Sequence, residues 1–366
     1  MSCASDASSS NASQLLPFEL LSEIMLLAVE ANSRVVDLNG RLNYTTRIES
    51  VTRLSSVCSH WRNVALNVPQ LWVLEYGDAS GFPLSPQAQL FLDRSHPSTF
   101  SVSLHYSFMN RDWGHGSKPT IRALVTSNFR HTTKRWAYLS LTIRTKEELY
   151  DIAQLPRGGF QNLHHLHIQI DARIGENDAP LDVFADAPSL STVFLGLDRL
   201  RQAAATFVPL PWPRLAQLSL ELPAHRDVFD VVSRCPSLIS LVLSIPDGPT
   251  DDDQAETTIR LEHLKNLVLR TTRKTKLAYM ESYLAILDVP ALQVLNLSCR
   301  VFHPDWFSDF IVPFETFHHR ISSLTTFLLT RFPSNAPMTI LLRMLRAMPE
   351  LKELSLADFP RVQPRL

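Results

Sequence analysis

Glycine is scarce in this chain, with 10 in 366 residues, near 3% where about 7% is usual. So few glycines leave little room for phosphate-cradling loops or for many tight hairpins. Cysteine is also sparse: the four lie at positions 3, 58, 235 and 299 and form no Cys-x-x-Cys pair. Three of them sit inside apolar patterns, which favours reduced, mostly buried thiols over disulfides. An excess of either charge is missing too, with 35 Lys and Arg against 36 Asp and Glu. Without a basic block, a general nucleic-acid binder is not expected. Long apolar runs are absent: the stretch Ile24 to Val29 is far too short to span a bilayer. Residues 1–13 carry no Lys or Arg and no apolar core, so they do not read as a secretory signal. The expectation is a soluble intracellular protein, cytoplasmic or nuclear, that does not engage membranes. The Asn-x-Ser/Thr triplets at Asn11, Asn43 and Asn296 carry no weight in such a compartment.

What the chain does have is apolar side chain, 45% against 19% charged, ample for a folded core. Its length suggests about two domains. Residues 1–14 read as a flexible tail, 15–75 as helical, 76–135 as a linker and cap, and 136–366 as a repeat. Leu16-Pro17 opens the helical part, since proline suits a first helical position. Leu20, Leu21, Ile24, Leu27 and Ala28 follow at the spacing of one helix face. Residues 30–50 are polar and read as a loop. A second face runs through Val51, Leu54, Val57, Cys58 and Trp61, and Ser59 is placed to cap a short third helix that Pro69 ends. These helices carry more apolar side chain than so small a bundle can hide. A cap on the next domain and a surface for a partner both fit that excess, and periodicity alone does not choose between them.

From Leu163 a second rhythm takes over. The motif Leu-x-x-Leu-x-Leu, or a close variant, begins at Leu163, Leu190, Leu215, Leu238, Leu264, Leu292, Leu324 and Leu351. The steps are 27, 25, 23, 26, 28, 32 and 27 residues, the period of leucine-rich repeats with one longer step. A ninth unit is expected at Trp136–Leu141 and a tenth at Thr99–Leu104. Within each motif the last two apolar residues are two apart and share one side of a strand. The intervening segments suit a helix, with apolar faces at Val228/Val231/Val232, Leu284/Leu287 and Met338/Leu341/Leu342/Leu345. In five units a proline stands two before the first leucine (Pro188, Pro213, Pro236, Pro290, Pro349) and is expected to stop that helix. The fold class predicted is α/β, a solenoid with a parallel sheet on its concave side. Its outward middle row would be His167, Phe194, Ser219, Val242, Val268, Asn296, Leu328 and Ser355. That row is mixed and nearly uncharged, suited to a protein or peptide target, although binding at the loops fits almost as well.

Three separated pieces of the helical part carry a resemblance: Leu16-Pro17-Phe18-Glu19-Leu20-Leu21-Ser22-Glu23-Ile24, Val57-Cys58-Ser59-His60-Trp61-Arg62, and Leu71-Trp72. Together they resemble an F-box, most like the F-box proteins with C-terminal leucine-rich repeats common in mushroom-forming fungi. The polar insert at 30–50 is longer than most F-boxes carry. The resemblance implies a Skp-type adaptor as partner and, through it, the cullin scaffold of a ubiquitin ligase. Carried over by position, the adaptor contacts would be Leu16, Pro17, Leu20, Ile24, Leu54, Val57, Cys58, Trp61, Leu71 and Trp72. Val57 and Trp61 are the two most inclined to pack the helices' own core instead. A repeat scaffold without a ligase role is the alternative.

Catalytic and metal motifs are weak. His165 and His167 share a strand face, but no third ligand is legible. Gly114-His-Gly116-Ser-Lys118 fails the phosphate-loop order, and Gly77 to Gly81 misses the nucleophile turn by one position. His318-His319 and Asp251-Asp252-Asp253 read as loop residues, and Arg270, Arg273, Lys274 and Lys276 as a solvated turn. No cofactor, no metal and no enzymatic activity are expected.

Overall fold

The computed structural model describes residues 16–33, 44–77, 84–104, 128–197, 200, 202–245, 258–271, 283–284, 286–298, 323–330, 342, 345–346 and 348–357. The chain forms two compact units, Met1–Tyr138 and Leu139–Leu366. The fold is α/β, built on long parallel β-sheet.

The first unit opens with α1 (Phe18–Ser33), α2 (Tyr44–Ser56) and α3 (Ser59–Leu66), followed by a 3₁₀ turn, Pro69–Trp72. Pro17 stands just before α1, and its carbonyl accepts from Leu21 N at 3.0 Å. It therefore serves as the cap rather than as the first helical residue. Residues 44–50, expected as loop, belong to α2. That helix is polar on most sides and is held by its buried Val51 and by Arg47 Nη2, which donates to Gln70 O at 2.9 Å. Cys58, not Ser59, caps α3; its carbonyl accepts from Arg62 N at 3.0 Å, and no side chain caps this end. After the helices come β1 (Glu75–Gly77), α4 (Pro86–Arg94) and β2 (Phe100–Leu104), β1 pairing with β2 in parallel. The motif at Thr99 thus does carry a strand. Arg135 ties this segment together. Its guanidinium donates to Ser98 O, Leu92 O and Ser95 Oγ at 2.8, 3.1 and 2.7 Å and lies over the Phe100 ring at 5.0 Å. Burial lowers its pKa, with Tyr76 and Asp93 opposing.

β3 (Trp136–Ile143) leads into the second unit. There β4 (His165–Ile170), β5 (Thr192–Leu197), β6 (Gln217–Glu221), β7 (Ser240–Ile245), β9 (Asn266–Thr271), β11 (Val294–Ser298), β12 (Thr326–Thr330) and β13 (Glu353–Ala357) pair in sequence order, every pair parallel. β8 (Ile259–Arg260) and β10 (Leu287–Asp288) form a small separate ladder. Each main strand starts two residues after the first leucine of its motif. The motif's three apolar residues point inward: Leu238, Leu241 and Leu243 are at most 1% exposed. At about 25 cal/mol per Å² of apolar surface, such rows supply most of the stabilisation.

Neighbouring repeats are also joined ahead of the strands. The carbonyls of His164, Ser191, Ala216, Ile239, Lys265, Gln293 and Thr325 each accept two backbone N–H groups from the next repeat. This column continues the ladder into the turns and pairs their backbone donors.

The prolines before the motifs have a more specific role than stopping helices. Each occupies the second position of a β-turn, which proline's fixed φ favours. The turn closes from the first leucine's N–H to the carbonyl before the proline: Leu190 to Ala187, Leu215 to Trp212, Leu238 to Cys235, Leu292 to Val289 and Leu351 to Met348, at 3.1–3.4 Å. The preceding residue is buried in all five.

The return segments differ among repeats. α5 (Lys146–Ala153) begins with a capping box of Thr145 and Glu148, and α7 (His225–Ser233) buries Val228, Val231 and Val232 as expected. The segment before β5 holds a 3₁₀ turn, Asp182–Phe184, and the described residues before β6 form the short α6 (Ala204–Phe207) and a second 3₁₀ turn. Asp171 to Pro188 is rich in Asp, Asn, Gly and Pro, which favour turns over helix. Asp178 organises the turn there, accepting from Lys146 Nζ and Gly175 N at 2.8 and 2.6 Å. The lysine bond first, and the backbone bond second, hold its carboxyl below the usual range. Leu287, read with Leu284 as a helical face, lies in β10 instead, paired with Ile259. Met338 and Leu341 lie outside the described residues, while Leu342 and Leu345 are helical.

Candidate functional site

Two surfaces gather the residues singled out in the sequence. The first is on the helices. α1 buries Leu21, Met25 and Val29 completely, a stripe at i, i+4, i+8. Next to it on the same helix runs a second apolar stripe that stays uncovered: Leu20 is 51% exposed, Ile24 45% and Leu27 60%, with Pro17 exposed ahead of it. The five positions read as one helix face therefore divide between two. Val57, named as an adaptor contact with the helices' own core as its alternative, is 57% exposed, and Phe18 and Leu66 are also uncovered. Leu16, Leu54, Cys58 and Trp61 are half-buried.

Leu71 and Trp72 are corrections to the expected contact set. Leu71 is fully buried and Trp72 nearly so. Trp72 Nε1 donates to Ala65 O at 2.7 Å. Its ring meets Phe91 edge-on at 4.9 Å and carries Arg94 over one face at 4.4 Å. Both residues anchor α3 to the segment that follows, so neither is available to another molecule.

The sequence reading missed Phe18 and Leu27 as exposed positions. Leu27 stands seven residues after Leu20, two turns along the same stripe, and that spacing is the signal that could have found it. The stripe is flanked by the exposed Glu19, Glu23 and Glu30, whose carboxylates mark it as facing water. A helix uncovered along so much of its apolar length fits an apolar groove on another protein. Three nitrogen atoms of the same helical set, Arg47 Nε, His60 Nε2 and Trp61 Nε1, are buried without a hydrogen-bond partner among the described residues. Burial also lowers the Arg47 pKa, with Glu30 opposing.

The second surface is the outward face of the repeat sheet. The parallel register aligns His167, Phe194, Ser219, Val242, Val268, Asn296, Leu328 and Ser355 strand by strand in one row, all half-buried. His167 stacks on Phe194 with ring centroids 4.1 Å apart and planes 22° from parallel. Charge on the three outward rows is confined to Glu221, Arg270 and Glu353, apart from the histidines. The rest are mostly Ser, Thr, Asn and Gln. Such a face matches a neutral polypeptide surface rather than phosphate.

Among the described residues no group of three or more His, Cys, Asp or Glu side chains could hold a metal ion, and no helix is long and apolar enough to cross a membrane. A shallow depression of about 370 Å³ lies beside the turns that precede β7, β9 and β11, lined by Ser237, Ile239, Glu262, His263, Lys265 and Ala291. Gly114–Lys118, Asp251–Asp253, His318-His319, Arg273, Lys274 and Lys276 lie outside the described residues.

No protein-family model matches the chain, and no curated protein is similar to it in sequence.

Proposed function

We propose that the chain is the substrate-recognition adaptor of an SCF-type ubiquitin ligase, with residues 15–75 acting as an F-box on a Skp-type adaptor and the leucine-rich repeats holding a target protein. The observation that carries this reading is the uncovered stripe Pro17, Leu20, Ile24 and Leu27 beside the stripe that α1 buries. A solvated helix has no use for two apolar faces; a helix with a partner does. The repeat sheet supports the second half, a long in-register face with little charge. In this role the chain performs no chemistry. It raises the concentration of target near the charged conjugating enzyme, which the cullin scaffold brings.

The test is calorimetric titration of the full chain with a purified Skp-type adaptor. Binding is expected, and replacing Leu20 and Ile24 by Asp weakens it by about 30-fold or more, as loss of central anchors does. Failure of the wild-type chain to bind overturns the ligase reading. The burial of Leu71 and Trp72 favours a second reading, in which the helices only cap a repeat scaffold. That reading requires no adaptor binding in the same titration.

A further inference from the structure

We infer that the chain pairs with a second copy of itself through β13, forming an antiparallel two-fold centred on Ser355. The inference does not depend on the ligase reading.

β13 is paired with β12 on one side and with no strand on the other among the described residues. Its inward residues are not covered as those of the other repeats are. Leu354 is 38% exposed, whereas its counterparts Leu241, Leu267, Leu295 and Phe327 are at 0%. Leu351 and Leu356 are half-buried, whereas Leu292 and Leu297 are at most 1% exposed. An edge strand presents unpaired N–H and C=O groups as a template, and here it presents leucines along with them.

The register decides the occupant. In an antiparallel pair, residues directly opposite lie on the same face, so a two-fold must pass through a residue. Centred on Glu353, it sets two carboxylates against each other. Centred on Leu354, it sets Lys352 against Leu356. Centred on Ser355, it sets Leu354 against Leu356 of the second copy, twice, and Ser355 against itself. Only this last register covers both inward leucines with leucine and opposes no like charges. A second copy of β13 is thus its own complement, and the sheet and its apolar layer continue across the axis.

Sedimentation of the full chain across the micromolar range is expected to show twice the monomer mass. Ser355→Lys sets two ammonium groups face to face on the axis without touching the core, and the mass should fall to the monomer with the far-ultraviolet spectrum unchanged. Leu20→Asp with Ile24→Asp should leave the dimer intact, which separates this contact from the helical stripe. Under mild oxidation Ser355→Cys should give a linked dimer faster than either the wild type or Glu353→Cys. A wild-type monomer throughout, a dimer indifferent to Ser355→Lys, or equal cross-linking at 353 and 355 overturns the inference.

Discussion

Leu241 and Leu267 lie opposite each other on β7 and β9, both fully buried. Truncating either to Ala removes the transfer free energy of the lost methyl groups and leaves a cavity in a layer that cannot collapse around it. A loss of about 2–5 kcal/mol is expected, read from the midpoint of urea denaturation; a change below about 0.5 kcal/mol, the size of an ordinary surface substitution, would mean the site is not core. Cys235 is fully buried as well. Burial pushes its thiol up to about 12, with Arg234 opposing. The unfolded thiol, at its ordinary value of 9.0, loses its proton first, so stability falls as pH rises from 9.0 toward about 12. At pH 8, peptide mapping after maleimide labelling should find Cys235 unmodified in the native protein and modified in urea. Native labelling there would contradict its burial.

At the scale of elements, the proline turns show how a local preference becomes a joint. Proline fixes φ at the second turn position and costs the chain no hydrogen bond there, because the turn closes through the leucine N–H. Pro236→Ala frees the unfolded chain and should cost about 0.4–1 kcal/mol in the same denaturation. The scarcity of glycine has its cause at this scale as well. Parallel strands are joined by crossovers, so the φ > 0 residues of tight hairpins are seldom needed. Helix boundaries were less legible. The polar start of α2 has little apolar period of its own and is held by a contact from Arg47 to Gln70, distant in sequence. The segment from Asp171 to Pro188, expected like the other intervening segments to suit a helix, holds a 3₁₀ turn instead.

Over the whole molecule, the two units carry different burdens. In the repeats, each apolar row is closed by the next copy of itself, so the core is a one-dimensional stack. In the helices, α1 has more apolar face than its own unit covers. Substituting Asp at Leu20 and Ile24, both largely exposed, should therefore weaken adaptor binding by about 30-fold or more while shifting the melting temperature by no more than about 2 °C, as surface changes within ±0.5 kcal/mol do. A large drop in melting temperature would place that stripe in the fold's own core.

The main strands of the repeats, their order and the identity of the outward row were present in the sequence, because a period of two inside a period near 27 leaves one register in which the motif leucines turn inward. The tertiary structure alone decided which apolar residues of the helical part stay uncovered. Leu21 and Leu20, or Trp72 and Val57, are equally greasy as letters. Burial depends on which neighbours arrive from distant positions, as Phe91 and Ala65 do for Trp72, and no local spacing encodes that.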